Sequence, residues 1–331
     1  MAEAKSENLL SIQLLRGVAA FLVLSCHAIA NNLPADNFVK IIADKGWMGV
    51  EIFFIISGFI IPYSMYSNNY KVADFGKFFL KRIARIEPPY IISIALMLFL
   101  LYINTTSGKY AGPPFKIDWA NTLGHLGYIN AITGSPWLNV AYWTLAIEFE
   151  YYLILALLFP LIVNQNKLIL FSTYFIMLST AFITLPGNGR HILFYLPFFL
   201  LGISLFLFKT KKISLPEFFM LSIPAAAAVY ILNDVLLLVI SIAVLLIIEF
   251  VKKVPKAFLW LGTISYSLYL THGMIITRFL AVLKKIAPNI NIGVALVLDF
   301  MVCILLAYLY YMIIEKPAIR LSRKIKYIHS S

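Results

Sequence analysis

Ten apolar runs, most of them 18 residues or longer, recur along this chain and restrict its fold more tightly than any other feature. In a helix rising 1.5 Å per residue, about 20 residues cross a hydrocarbon core ~30 Å thick. Barrel strands would be about half that length and would alternate in polarity. The composition agrees: 61% of residues are hydrophobic and 13% charged, where soluble domains have about half and about a quarter. The chain is therefore expected to be an all-α, polytopic integral membrane protein.

Hydropathy places the ten spans at about 11–30, 47–66, 88–105, 142–163, 168–185, 190–208, 216–232, 235–251, 258–281 and 291–314. Residues 9–30 resemble a signal peptide, but Arg16 inside the run and a second span soon after favour a retained first helix. An even number of spans puts both termini on one side. If that side is the cytoplasm, the inner segments hold 18 of the 27 basic residues and the outer segments, including Lys109 and Arg190, hold 7. This asymmetry predicts cytoplasmic N- and C-termini. The longest connection, 106–141, contains Gly112-Pro113-Pro114 and falls outside, where it would serve as a lid or acceptor platform. The net charge of +12 is distributed through short loops rather than along one amphipathic face, so membrane topology accounts for it better than nucleic acid does.

Ionisable groups inside a span are costly, which makes each a candidate functional residue. Arg16 and His27 are 11 residues apart, a separation of about 20° beyond three turns and ~16 Å along the axis, so they share a face near opposite ends of one helix. That suits a ligand with an anionic end at Arg16 and a reactive end, carried on a long arm, at His27. The alternative is an Arg16 that snorkels to the interface and a His27 that is a hydrogen-bonded core residue; helical geometry alone supports both. With successive spans running in opposite directions, Glu51, Glu148, His27 and His272 all fall in the outer half. A histidine beside a carboxylate is suited to taking a proton from a hydroxyl, although Glu51 also fits a structural ion pair. On the inner side Lys81, Arg82 and Arg85 cluster where phosphates would fit, but taken by themselves they are better explained by the positive-inside rule.

Cys26 and Cys303 lie in apolar runs and read as packing residues. Zinc-ligand spacings, phosphate-binding glycine loops and a nucleophile elbow are not found, so no metal is expected.

The motifs form an ordered set. Leu15-Arg16-Gly17-Val18-Ala19-Ala20 is followed by His27, then by Gly49-Val50-Glu51-Ile52-Phe53-Phe54-Ile55-Ile56-Ser57-Gly58-Phe59, then by Arg82-Ile83-Ala84-Arg85. Trp143-Thr144-Leu145-Ala146-Ile147-Glu148, Ser265-Tyr266-Ser267-Leu268-Tyr269-Leu270-Thr271-His272 and Glu315-Lys316-Pro317 complete it. This series resembles the membrane-bound acyltransferase 3 family over residues 9 to 320, with threonine replacing serine in the tryptophan segment. With no internal repeat and no stretch that would make a soluble appendage, a single transmembrane domain over 1–331 is expected, without the extra hydrolase-like domain that some members of the family carry outside the membrane. The resemblance implies a multi-pass enzyme of the bacterial inner membrane that moves an acyl group, commonly acetyl from acetyl-coenzyme A, to a hydroxyl of exopolysaccharide, O-antigen or another lipid-linked glycan.

Together these lines assign His27 and Glu148 to catalysis, with His27 as general base on the acceptor hydroxyl or as the group that takes the acyl itself, a choice the sequence leaves open, and with Glu148 orienting or charge-pairing a histidine. Arg16, Arg82 and Arg85 are assigned to the nucleotide phosphates of acyl-coenzyme A, and Ser57, Tyr142, Trp143 and His272 to the acceptor. Trp119, His125 and Trp137 in the long connection are candidates for acceptor selection, and Arg278 has no assigned role. A transporter or flippase of a glycan precursor is the competing class, since ten helices with polar groups at midplane would serve it too. No internal repeat supports it. A sensor that retains the fold without catalysis is a third class, and the intact Arg16 and His27 pair argues against it.

Overall fold

A computed structural model describes residues 2–30, 32–106, 115–184 and 191–327, with residues 2–9 and 30 described by their backbone alone. Lys109, Arg190, the Gly112-Pro113-Pro114 segment and the side chain of Lys5 lie outside the described residues. Every regular element among the described residues is helical.

Each of the ten apolar runs contains a helix. They are α1 (Ala2–Ala30), α3 (Gly49–Ser67), α4 (Phe75–Thr106), α7 (Tyr142–Ile162), α8 (Lys167–Thr180), α9 (Ile192–Lys209), α10 (Leu215–Leu232), α11 (Val235–Phe250), α12 (Lys256–Ile286) and α13 (Ile292–Tyr310). Four short helices lie between or after them: α2 (Phe38–Ala43), α5 (Trp119–Leu126), α6 (Asn130–Thr133) and α14 (Lys316–Lys324). A π turn over Tyr311–Glu315 joins α13 to α14.

Eight of the helical segments are long and apolar enough to cross a membrane, rather than the ten expected. The exceptions are α8, with 14 residues, and α11, with 16, whose lengths of ~21 and ~24 Å fall short of ~30 Å. Both begin at polar caps: Asn166 accepts from the Leu168 amide and Asp234 from the Leu237 amide. The apolar run at 168–185 continues past Thr180, where α8 ends. Hydropathy therefore overcounts the helical residues there.

Two glycine-mediated crossings set the interior geometry. Helix α1 packs along α12 and α3 along α9. A Cβ on Gly262 would stand 2.0 Å from the carbonyl oxygen of Gln13, so α1 and α12 meet backbone to backbone beside Arg16. At the second crossing a Cβ on Gly202 would stand 2.2 Å from the Ile55 carbonyl oxygen, and one on Gly58 2.1 Å from that of Phe199. Small residues permit this close approach in helical membrane proteins. Gly17 and Gly58 immediately follow Arg16 and Ser57, and the crossings therefore fix the depth at which those two side chains enter the bundle.

Candidate active site

Two cavities share one wall. The first, ≈ 420 Å³, lies among α1, α3, α4, α7 and α12; the second, ≈ 470 Å³, opens towards α14. Arg16, Ser64, Arg82, Arg85 and Glu315 line both. Arg82 and Arg85 belong to α4, which starts at Phe75, well before the apolar run at 88, and so carries both side chains on one helical face. The Arg82 guanidinium is held between aromatic rings, 5.3 Å from the centroid of Phe78 and 5.4 Å from that of Tyr152. Such contacts orient the cation without neutralising it.

Two carboxylates face this cluster. Glu148 accepts a hydrogen bond from Ser57 Oγ at 2.8 Å, and its charge reaches Arg16 and Arg82. Glu315, set by the π turn, accepts from Ser267 Oγ at 2.5 Å and from the Ser267 amide at 3.1 Å. Among the described residues neither carboxylate forms an ion pair with Arg16, Arg82 or Arg85. The wall, with Glu148 beside it in the first cavity, thus sets three guanidinium groups against two carboxylates and keeps an excess of positive charge.

The histidines form a separate station. His272 is buried, and its Nδ1 lies 2.8 Å from the Tyr269 carbonyl oxygen and 3.2 Å from that of Leu268. Two carbonyls require a donor, so Nδ1 carries the hydrogen and Nε2 is an acceptor. That Nε2 is 3.2 Å from His27 Nδ1, which is also 2.9 Å from the Val23 carbonyl oxygen. Both neighbours of His27 Nδ1 are acceptors, which makes it the donor. In its neutral form His27 therefore keeps its lone pair on Nε2, the arrangement a general base needs.

Tyr269 connects the two stations. It lines the first cavity beside Phe53, with ring centroids 5.6 Å apart, and its ring lies 5.8 Å from that of His272. Its hydroxyl is 2.8 Å from Thr144 Oγ1. Neither histidine lines either cavity.

The structure thus regroups the residues singled out in the sequence. Arg16, Arg82, Arg85, Ser57 and Glu148 share the first cavity, and His27 pairs with His272. Glu148 faces arginines and Ser57, not a histidine as expected, because the α7 turn carrying it packs beside α4 and Ser57 of α3. Glu51 is buried and its Oε2 has no hydrogen-bond partner among the described residues. Tyr142 is fully buried with its hydroxyl 2.9 Å from Ser93 Oγ, and Trp143 packs against Tyr195 at 5.6 Å; neither lines either cavity. Arg278 donates to the Met274 carbonyl oxygen at 2.9 Å.

In the segment after residue 114, His125 is an internal fastener. Its Nδ1 lies 2.8 Å from the Asn121 carbonyl oxygen, and its Nε2 accepts from the Leu138 amide at 3.1 Å. Burial pushes its imidazole pKa down, partly opposed by the bond to Asn121. Trp137 packs edge-on against it, and Trp119 remains exposed. Sequence reasoning did not single out Glu315, Tyr152 or Tyr269 as site residues. Glu315 carried a signal, an acid directly after an apolar run, while the two tyrosines were indistinguishable from interfacial aromatics.

Fold and site define a polytopic membrane protein with its ionisable groups gathered inside a helical bundle. The model of the acyltransferase 3 family, described as an acyltransferase domain, matches residues 9–312, and the chain belongs to that family: it is an acyltransferase. It is 26% identical over 286 residues to ORF330 of Acidianus two-tailed virus, whose name assigns it provisionally to the acetyltransferases; the match covers 78% of this chain and 80% of the relative. It is 29% identical over 150 residues to YrhL of Bacillus subtilis, named provisionally as a peptidoglycan O-acetyltransferase; that match covers 42% of this chain and 22% of the relative. To the O-acetyltransferase OatA of Staphylococcus aureus it is 28% identical over 128 residues, 36% of this chain and 20% of the relative. These last two matches span about a fifth of the relatives' length. No solved structure matches the chain.

Proposed function

We propose that the protein takes an acyl group, in the first instance acetyl, from cytoplasmic acyl-coenzyme A and transfers it to a hydroxyl of a cell-surface or lipid-linked carbohydrate. It would do so as one multi-pass domain of a bacterial inner membrane with both termini in the cytoplasm. The observation that carries this reading is the meeting of Arg16, Arg82 and Arg85, without ion-pair partners among the described residues, on the wall shared by two cavities. Partly buried cations left unpaired require an anionic ligand to offset their desolvation. A nucleotide diphosphate meets that requirement, and planar guanidinium groups bind phosphate oxygens in pairs. The O-acetyltransferase names of the relatives support a hydroxyl acceptor.

In this reading the pantetheine arm runs along the first cavity from the arginines towards Tyr269, so the thioester approaches the histidines while the nucleotide stays behind. The acceptor oxygen attacks the thioester carbonyl carbon as His27 Nε2 takes the hydroxyl proton. The carbon–sulfur bond then breaks, and the proton passes from His27 to the departing sulfur. The Val23 carbonyl oxygen and His272 Nε2 both accept from His27 Nδ1–H and so fix the reactive tautomer. Glu148 positions Ser57 and balances the arginine charge.

The test uses inside-out membrane vesicles given acetyl-coenzyme A labelled in the acetyl group, comparing the native chain with His27→Ala at equal expression. Base-labile label in glycan or glycolipid that disappears in the variant is the expected result. Equal labelling in both would remove His27 from the mechanism. Movement of the glycan without any covalent label would favour the transporter class.

A further inference from the structure

The second cavity contains more positive charge than a diphosphate requires. Beyond the arginines it shares with the first cavity, it is lined by Lys81 of α4 and by Lys316, Arg320 and Arg323 of α14. The three α14 residues are spaced by four and three positions, so they form one stripe along the helix. Among the described residues none of the four is in an ion pair. The positive-inside rule explains why cations abound near the end of the last span, but it does not direct them to one cavity. Lys324 and Lys326 satisfy the same rule and do not line it. The Lys81 ammonium also sits 5.3 Å from the ring centroid of Tyr327, which ties the chain after α14 back onto α4.

The cavity therefore has two cationic stations. One is Arg16, Arg82 and Arg85 on the wall shared with the first cavity; the other is the α14 stripe with Lys81. Coenzyme A has anionic groups to match: a diphosphate within the chain and a phosphate monoester on the ribose 3′ oxygen, the latter carrying about −1.5 to −2 charge near neutral pH. We propose that Arg320, Arg323, Lys316 and Lys81 form a second anion subsite that binds the 3′-phosphate of the donor and so selects coenzyme A over nucleotides lacking it. The proposal rests on the coenzyme A reading above. The ligand chemistry is a phosphate, which an anionic lipid headgroup also supplies.

The experiment measures binding of coenzyme A and of 3′-dephospho-coenzyme A to the full chain in nanodiscs of zwitterionic lipid, then with added phosphatidylglycerol. The native chain should bind coenzyme A about 10–100-fold more tightly than the dephospho form. In the Arg320→Ala/Arg323→Ala double variant, the affinity for coenzyme A should fall to that of the dephospho form, while the dephospho affinity stays unchanged and shows the fold to be intact. Discrimination that survives in the variant, or an equal loss for both nucleotides, would overturn the subsite. So would a variant that binds coenzyme A as the native chain does and loses only retention of phosphatidylglycerol, the result expected of a lipid site. If the native chain binds neither nucleotide, the donor reading fails and takes this proposal with it; if it binds both equally, the donor reading stands and the subsite alone fails.

Discussion

The two ends of α1 solve opposite electrostatic problems. At Arg16, three guanidinium groups meet two carboxylates, and the positive excess is left for a ligand to balance. At His27, two imidazoles satisfy each other and the backbone, leaving one ring nitrogen with its lone pair. An under-neutralised cluster is suited to binding, and a neutral, oriented base is suited to reaction. Because both lie on one helix, ~16 Å apart by helical rise, the distance between them is rigid.

The largest expected effect comes from disturbing the contact that holds this geometry. Gly262→Val places a Cβ 2.0 Å from the Gln13 carbonyl oxygen of α1. Overpacking of this kind should cost about 3 kcal/mol, read as a lowered unfolding midpoint in detergent, and should separate His27 from His272. A midpoint equal to that of the native chain would show that the crossing is looser than described.

A more selective change sharpens the comparison. His272→Phe removes one of the two acceptors at His27 Nδ1–H and leaves the Val23 carbonyl oxygen, and kcat should fall about 2–10-fold, the worth of one hydrogen bond, with donor KM unchanged. His272→Gln, which retains an acceptor, should recover part of the loss. A shift in donor KM instead would place His272 with the binding station.

How much of this was legible in the sequence depends on the residue. Arg16 and His27 could be placed on one helical face because helical spacing is rigid, and Arg82 with Arg85 for the same reason. The pairing of His27 with His272 was visible only as a shared depth, since hydropathy gives position along the membrane normal and not azimuth. That is also why Glu148 was assigned to the histidines: its depth fitted, but the rotation of α7 turns it to Ser57 and the arginines. Tyr142, expected to meet acceptor, is fully buried beside Ser93, a contact across 49 positions that no local pattern announces. The apolar run at 168–185 does not reveal that α8 stops at Thr180, whereas α11 fills its run and is short because the run itself is.

The smallest effect concerns a histidine outside both stations, His125. His125 is held neutral by burial, and its Nε2 accepts from Leu138. A depressed folded-state pKa means that the stabilisation is fully present above the unfolded value of about 6.5 and is lost as the pH falls through the lower folded value. Hydrogen exchange at the Leu138 amide should therefore show less protection, after correction for intrinsic rates, at pH 5 than at pH 7.5. Equal protection would show that this bond does not hold the segment.

The central claim is that binding and reaction occupy different stations on one helix, and crossing two variants tests it most directly. Donor affinity and single-turnover rate at saturating acetyl-coenzyme A would be measured for Arg82→Ala and for His27→Ala. Arg82→Ala should weaken the donor about 10–100-fold and leave the saturated rate within a few-fold of native. His27→Ala should bind the donor as the native chain does and lose about 10²–10⁴ in rate. Two variants that lose affinity and rate in the same proportion would contradict the separation and place the arginines and the histidines in a single site.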